Sequence, residues 1–245
     1  NGPGRVAFRV GGVVSYFEPA SPPYSIRSEF INCPIPSQFF VAPTILNQAY
    51  DIVLVGKSRV SGLAAQQIRI ISKDNSRYSF VAWLDQQSGL LLKLDMLDLE
   101  GKLLEQVQVT SIHISDSPDD YFYKIEKDKL PEVAMMKAST SAPHKWQINW
   151  LPKGMKAIKQ DTHRLPVTGD NVDYVLLSDG LVDVSVYVHA IRGSSAENGW
   201  LRHQSNTLLS LNNGKIEVTV VGKIPAETAN NIASSIRPRV AKVPK

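Results

Sequence analysis

A single cysteine, Cys33, is all that the 245 residues contain, so no disulfide can form within the chain. Crowded by Pro34 and Pro36, with no histidine nearby in sequence, it reads as a small apolar residue rather than a nucleophile. Low cysteine usage does not by itself fix the redox compartment. No apolar run approaches the roughly 20 residues that cross a bilayer as a helix. The five histidines, His113, His144, His163, His189 and His203, stand apart and none falls in an HExxH pattern, so spacing builds no zinc site. There is no GxSxG elbow, and Ser194-Ser195 lies in a Gly-Ser-Ser-Ala-Glu-Asn-Gly connection. The glycines near the start lack the Lys-Ser/Thr and the helix of a phosphate loop. Asp119-Asp120 fall in a connection, and Asp95 and Asp98 flank a turn, so no carboxylate pair is marked for acid–base work. The expectation is a non-enzyme with no catalytic residues, no metal and no cofactor. Charge is equally plain: the net +4 is scattered, apart from a tail of Arg237, Arg239, Lys242 and Lys245. A nucleic-acid partner would call for a basic stripe or motif, and neither is present.

What the chain does have is strand periodicity. Between Tyr50 and Ile114 it reads as five strands, Asp51–Val55, Gln66–Lys73, Arg77–Asp85, Leu90–Leu97 and Leu103–Ile112. The spacers, Gly56–Leu63, Asp74–Ser76, Gln86–Gly89 and Asp98–Lys102, are rich in turn residues. Apolar side chains take even positions: Ile68 and Ile70, then Tyr78, Phe80, Ala82 and Leu84, then Leu90, Leu92, Leu94 and Met96. Strand side chains alternate, so the meander has one apolar face to bury. Val81, Trp83, Leu91 and Leu97 interrupt the opposite, more polar face and imply partial cover there.

Around this meander the chain is more varied. Arg5–Phe17 predicts a hairpin turning at Gly11-Gly12. Because Arg5–Val10 is already strand-like so close to the first residue, the chain is expected to begin inside a larger domain. Pro19, Pro22, Pro23, Pro34, Pro36 and Pro43 argue against long regular elements there, with one helical turn at Ser37–Val41. Residues 117–145 read as a connection holding one short helix. From Trp146 a second unit begins: strands at Lys145–Asn149 and Met155–Asp161, a hairpin turning at Ser178-Asp179-Gly180, and another at Asn212-Asn213-Gly214. Pro225–Ile236 reads as a helix stopped by Pro238, with Ala229, Ile232, Ala233 and Ile236 as its apolar stripe against the second sheet.

Five stretches then resemble one family. Tyr78-Ser79-Phe80-Val81-Ala82-Trp83-Leu84-Asp85 and Ser88-Gly89-Leu90-Leu91-Leu92-Lys93-Leu94-Asp95-Met96-Leu97-Asp98 look like the signature strand pair of the RseB/MucB family. Val14-Ser15-Tyr16-Phe17-Glu18-Pro19, Trp150-Leu151-Pro152-Lys153-Gly154-Met155 and Leu177-Ser178-Asp179-Gly180-Leu181 agree with it, although the family usually has an aromatic residue where Met155 stands. The resemblance implies an α+β fold: a LolA/LppX-like curved antiparallel sheet with helices, lacking its first part, and a smaller C-terminal α+β domain. It implies lipid sensing in residues 1–116, a linker at 117–145 and anti-sigma-factor binding in 146–240. Members are periplasmic regulators of the sigma-E envelope-stress response; they bind the periplasmic region of the anti-sigma factor RseA and shield it from the site-1 protease DegS. Lipid or lipopolysaccharide fragments relieve the shielding.

On this footing Trp146, Trp150, Leu151, Ser178 and Asp179 are the expected partner-binding residues. Phe39, Phe40, Phe80, Leu90 and Leu92 are the expected lining of a lipid cavity. A lipid or lipoprotein carrier is the alternative, and the sequence leaves homo-oligomer formation open.

Overall fold

The computed structural model describes residues 4–31, 36, 43–117, 120–126, 129–133, 144–164, 171–191 and 198–239. The chain separates into two compact units, one of residues 1–37 with 110–138, the other of 38–109 with 139–245. Each is interleaved in sequence, whereas the sequence reading divided the chain end to end. Polar contacts between the meander and the C-terminal region, described below, lie within the second unit.

In the first unit β1 (Val6–Val10), β2 (Val13–Glu18) and β3 (Ser21–Arg27) form an antiparallel sheet in that order. The expected hairpin is there, with Gly11 at φ 59° in its turn. Within the proline-rich stretch a strand of seven residues, β3, does form, because Pro22 and Pro23 sit exposed on an edge strand, where a missing amide costs no ladder bond. The helical turn expected at Ser37–Val41 lies outside the described residues. A short helix, Asp120–Tyr123, falls in the stretch read as a connection, and Tyr121 lies 6.2 Å from Phe8, ring to ring.

The second unit opens with a 3-10 turn, Pro43–Gln48, and the five-stranded meander β4 (Tyr50–Val60), β5 (Leu63–Ser72), β6 (Ser79–Asp85), β7 (Leu91–Leu97) and β8 (Leu103–Gln108), paired in chain order. Residues 56–60, expected as spacer, continue β4 instead. Glycine at position 56 is absorbed by a register shift between Leu54 and Gly56, and the chain turns only at Ser61 (φ 50°) and Gly62 (φ 82°). The even-numbered face is apolar as expected, with Ile70, Phe80 and Ala82 buried in adjacent strands. Its margin is different. Ile52 and Leu54 share that face, opposite Ile70 and Ile68, yet they are 40% and 73% exposed on edge strand β4.

The C-terminal module has a two-stranded ribbon, β9 (Trp146–Ile148) with β16 (Ile236–Pro238), and a six-stranded sheet. That sheet comprises β10 (Lys156–Arg164), β11 (Asn171–Ser178), β12 (Asp183–Ala190), β13 (Gly199–His203), β14 (Asn206–Asn212) and β15 (Ile216–Gly222), in the order β10-β11-β12-β15-β14-β13. Val184, Val186 and Val188 face Gly222, Val220 and Val218 across the centre of this sheet. Each buried valine of this kind contributes about 1.5–3 kcal/mol. Edge strand β13 went unread because it is exposed at every residue and carries no buried alternation.

The last helix, Ala226–Ser234, packs on β14 and β15 through Ala229, Ile232 and Ala233. Ile236, expected inside the helix, begins β16. Pro238 disfavours helical geometry in the residue before it, and the segment pairs with β9 instead.

Gly154 closes the turn after Leu151 at φ 82°, where an added Cβ would stand 3.0 Å from the Ala49 Cβ and 3.3 Å from the Ala49 amide nitrogen. Gly154→Ala is therefore expected to cost more than about 1 kcal/mol, read as a lowered urea midpoint; an unchanged midpoint contradicts the close approach.

Candidate functional site

Two constellations in the second unit carry the polar chemistry. The first centres on Arg77, which precedes β6 and is fully buried. Its Nε lies 3.0 Å from Asp179 Oδ2, an ion pair off the line of a directed hydrogen bond, while its Nη2 donates to the carbonyl of Lys153. The Tyr50 ring lies under the guanidinium at 5.3 Å, and the Tyr50 hydroxyl donates to Asp179 Oδ2 at 2.9 Å. Asp179 Oδ1 accepts the amides of Leu181 and Val182, both at 2.9 Å. The turn chemistry of Ser178-Asp179-Gly180 thus presents a carboxylate whose two oxygens are both engaged.

Asp74 completes the cluster. It accepts the Lys153 amide at 2.9 Å and lies 3.8 Å from Arg77 Nη2. Partial burial alone would raise its carboxyl. The Ser76 hydroxyl, the Lys153 and Ser76 amides and the Arg77 charge outweigh that and bring its pKa to about 2. Two further ties join the meander side to the C-terminal module: Thr228 Oγ1 donates to the Ser76 carbonyl at 2.7 Å, and Lys223 Nζ lies 2.7 Å from Glu105 Oε2.

The second constellation is an open cleft of about 150 Å³ between the β9–β16 ribbon and strands β10 and β11. Its walls include Trp146, Ile148, Leu151, Val175 and Leu177, with Arg239 also lining it. Trp146 is held in place by its indole N–H, which donates to Asp173 Oδ2 at 2.8 Å, and by stacking on His144 at 4.9 Å between centroids.

The expected partner residues therefore separate. Trp146 and Leu151 line one cleft. Trp150 is 38% exposed beside it in sequence. Ser178 is half-buried and its Oγ accepts the Gly180 amide at 3.1 Å. Asp179 is buried and committed to Arg77, Tyr50 and two amides, which makes it a positioning residue.

Of the expected lipid-cavity residues, Phe39 and Phe40 lie outside the described residues. Phe80 and Leu92 are 1% and 0% exposed, Phe80 packing edge-on to Tyr50 at 6.3 Å, and Leu90 is half-buried. Arg77, Tyr50 and His144 were not singled out from sequence. An arginine at a turn, a tyrosine starting a strand and an isolated histidine carry no local signal of burial.

The comparisons with known proteins bear on the whole chain. The model of the MucB/RseB N-terminal domain matches residues 1–134, and that of the MucB/RseB C-terminal domain matches 140–237. The sigma-E factor regulatory protein RseB of Escherichia coli K12 is 31% identical over 239 residues, 97% of this chain and 74% of that one. The sigma factor AlgU regulatory protein MucB of Pseudomonas aeruginosa is 32% identical over 203 residues, 81% and 64% of the two chains. Among solved structures, MucB in complex with MucA(peri) aligns with a TM-score of 0.74 at 27% identity, covering 97% of this chain and 88% of that one. MucB alone aligns at 0.57 and 26%, covering 96% and 86%.

Removing one partner of a buried ion pair strands the other, so Asp179→Ala is expected to cost about 3–5 kcal/mol in urea unfolding at neutral pH. Adding Arg77→Met should return part of that loss; a cost below about 1 kcal/mol would refute the cluster's role.

Burial and the Asp179 charge push Tyr50 well above its ordinary 10.0, further than Arg77 pulls it down. The unfolded chain then gives up this proton first. The contribution of Tyr50 is whole below pH 10.0 and is lost as pH rises from there through its raised folded value. A stability profile from pH 8 to 12 should fall less steeply in Tyr50→Phe; parallel limbs would refute this linkage.

Proposed function

The chain belongs to the MucB/RseB family, and from that membership we propose that it is a periplasmic regulatory binding protein. It holds the periplasmic region of an RseA-type anti-sigma factor and shields it from the site-1 protease DegS. The observation that carries this reading is the open cleft of the C-terminal module, where two aromatic rings are held stacked beside an apolar wall. Trp150 adds an exposed indole one residue before Leu151 of the wall, and aromatic anchors of this kind dominate interface energetics. The solved complex of the relative MucB with MucA(peri) supports the same class of partner.

The physical mechanism is mass action. A protease takes its substrate as an extended strand, and a partner holding that strand removes the cleavable state. At about 100 times Kd the exposed fraction falls roughly a hundredfold, about 2.7 kcal/mol of protection. No residue of the clamp needs to do chemistry for this.

Relief by lipid or lipopolysaccharide completes the proposal, with a LolA-like lipid-sensing part at 1–116, a linker at 117–145 and the clamp in 146–240. Its support is the uncovered margin of the meander, where Ile52 and Leu54 extend the apolar face of Ile68, Ile70 and Phe80 into solvent. Acyl chains dock at that margin, since Phe80 and Leu92 are already wrapped by protein. Reciprocity then requires that lipid and peptide weaken each other equally. A lipid or lipoprotein carrier would use the same margin without recognising a peptide.

Calorimetry with the periplasmic region of the anti-sigma factor tests the clamp. Trp150→Ala, whose side chain is partly exposed, should fold normally and bind at least about tenfold more weakly. Titrating lipopolysaccharide into the wild-type complex should weaken the peptide. Unchanged affinity in the variant removes Trp150 from the clamp, and simultaneous independent binding removes the lipid switch.

A further inference from the structure

Strand β13 (Gly199–His203) closes one side of the six-stranded sheet, pairs with β14 alone and is exposed at every residue. Its turn fixes which way its main chain faces. His203 and Asn206 close a hairpin whose loop is Gln204-Ser205, with Gln204 at φ 55°. In a two-residue loop the closing pair exchanges hydrogen bonds, and the exchange recurs at every second pair, here Leu201 with Leu208 and Gly199 with Ser210. The N–H and C=O groups of Trp200 and Arg202 therefore point away from the sheet, and among the described residues no hydrogen bond reaches them. Ladder groups presented at strand spacing are what the edge of another strand fits.

This edge is unguarded. The opposite edge of the same sheet, β10, carries Lys156 and Lys159 and a register shift between Ala157 and Lys159, devices that ordinarily keep edges apart. β13 pairs in unbroken register and holds no proline. Its Arg202 guanidinium is turned onto the Tyr78 ring at 5.7 Å, and Nε donates to the Gln204 carbonyl at 3.1 Å. Apolar side chains flank the edge: Trp200 is 61% exposed, Leu201 64%, and Leu208, which shares a face with Leu201, 43%.

The best match to this edge is the same five residues reversed. Laid antiparallel on a copy of itself about Leu201, β13 sets Trp200 opposite Arg202 of the second copy, Arg202 opposite its Trp200, and Leu201 opposite Leu201. The outward groups of Trp200 and Arg202 then satisfy one another. Each guanidinium, with Tyr78 on one side, receives an indole on the other. The two adjacent registers that also match the outward groups shorten the seam. One of them opposes Arg202 to Arg202, like charges face to face, and the other takes Arg202 off the strand pairing.

We propose that β13 is a self-association edge, on which two copies of this chain join antiparallel about Leu201 and merge their six-stranded sheets into one. The pairing consumes both β13 edges and leaves the guarded β10 edges outside, so assembly closes at two. A seam of five residues is small beside specific interfaces in general, so the dimer forms in proportion to concentration. This inference is independent of the anti-sigma-factor reading.

Cross-linking reads the register directly. In a chain carrying Cys33→Ser, Leu201→Cys places two thiols opposite each other in a pair that exchanges no hydrogen bonds. Their Cα atoms stand about 4.5 Å apart, within disulfide reach. Arg202→Cys faces Trp200 of the other copy instead. Mild oxidation should give a linked dimer from Leu201→Cys and roughly tenfold less from Arg202→Cys. Equal yields, or none from Leu201→Cys, overturn the proposal.

Sedimentation equilibrium of the unsubstituted chain should show a mean mass rising with concentration toward that of a dimer. Trp200→Pro removes an outward N–H that no ladder bond uses, and should raise the midpoint concentration at least about tenfold with unfolding unchanged. Trp200→Glu, which sets a carboxylate opposite Arg202 of the other copy, should keep the dimer, and Trp200→Lys should lose it. Loss in both, a monomer at every concentration, or a dimer that Trp200→Pro leaves untouched overturns the paired edge.

Discussion

A guanidinium withdrawn from water needs opposite charge and acceptors around it, and Arg77 draws them from distant parts of the chain, although its Nη1 has no hydrogen-bond partner. Asp179 comes from the β11–β12 hairpin, the Lys153 carbonyl from the turn after Leu151, and the Tyr50 ring from the start of β4. None of these groups can move away without exposing or stranding the charge, and a buried unpaired charge costs several kcal/mol. The meander and the C-terminal module are therefore held in one compact unit by a polar contact with a defined geometry. Apolar packing alone tolerates sliding, whereas the directed hydrogen bonds of the Tyr50 hydroxyl to Asp179 and of the Lys153 amide to Asp74 do not.

The cleft inherits its position from this cluster. Leu151 of its wall lies two residues before Lys153, whose carbonyl takes the Arg77 hydrogen bond and whose amide is held by Asp74. At the other end, Trp146 is fixed by Asp173 and by its stack on His144. A cleft built on a strand ribbon and anchored at both ends is pre-organised, so little ordering entropy would oppose the proposed binding. That suits a protein whose proposed task is to hold a segment rather than to transform it.

The same economy appears in the apolar face of the meander. Its centre is closed by its own side chains, while its β4 margin is left apolar and wet. Edge strands usually blunt such margins with charge or a bulge. Here the register shift at Gly56 bends the strand but leaves Ile52 and Leu54 exposed. The acyl chains of the proposed function would cover that margin.

Much of the secondary structure was legible because alternation and turn chemistry are local. Ile70, Phe80, Val184 and Val186 are buried where period-two patterning puts them, and the turns at Gly11, Gly62 and Gly180 fall at glycines with positive φ. Motif likeness across five stretches gave the family. Edge strands β3 and β13 escaped, since one carries prolines and the other exposes every residue, and burial is what creates a readable alternation.

The site was half legible. Trp146 and Leu151 stood out as an aromatic and an apolar residue near a turn, but nothing marked His144, or the pairing of Tyr50 with Asp179 across 129 residues. The sequence by itself determined strand periodicity, turn positions, the absence of local catalytic spacing and kinship. Only the tertiary structure decided which polar atoms are buried, which are satisfied and which are left open. Satisfaction depends on partners that meet through folding, and no local pattern encodes a contact between residues so far apart.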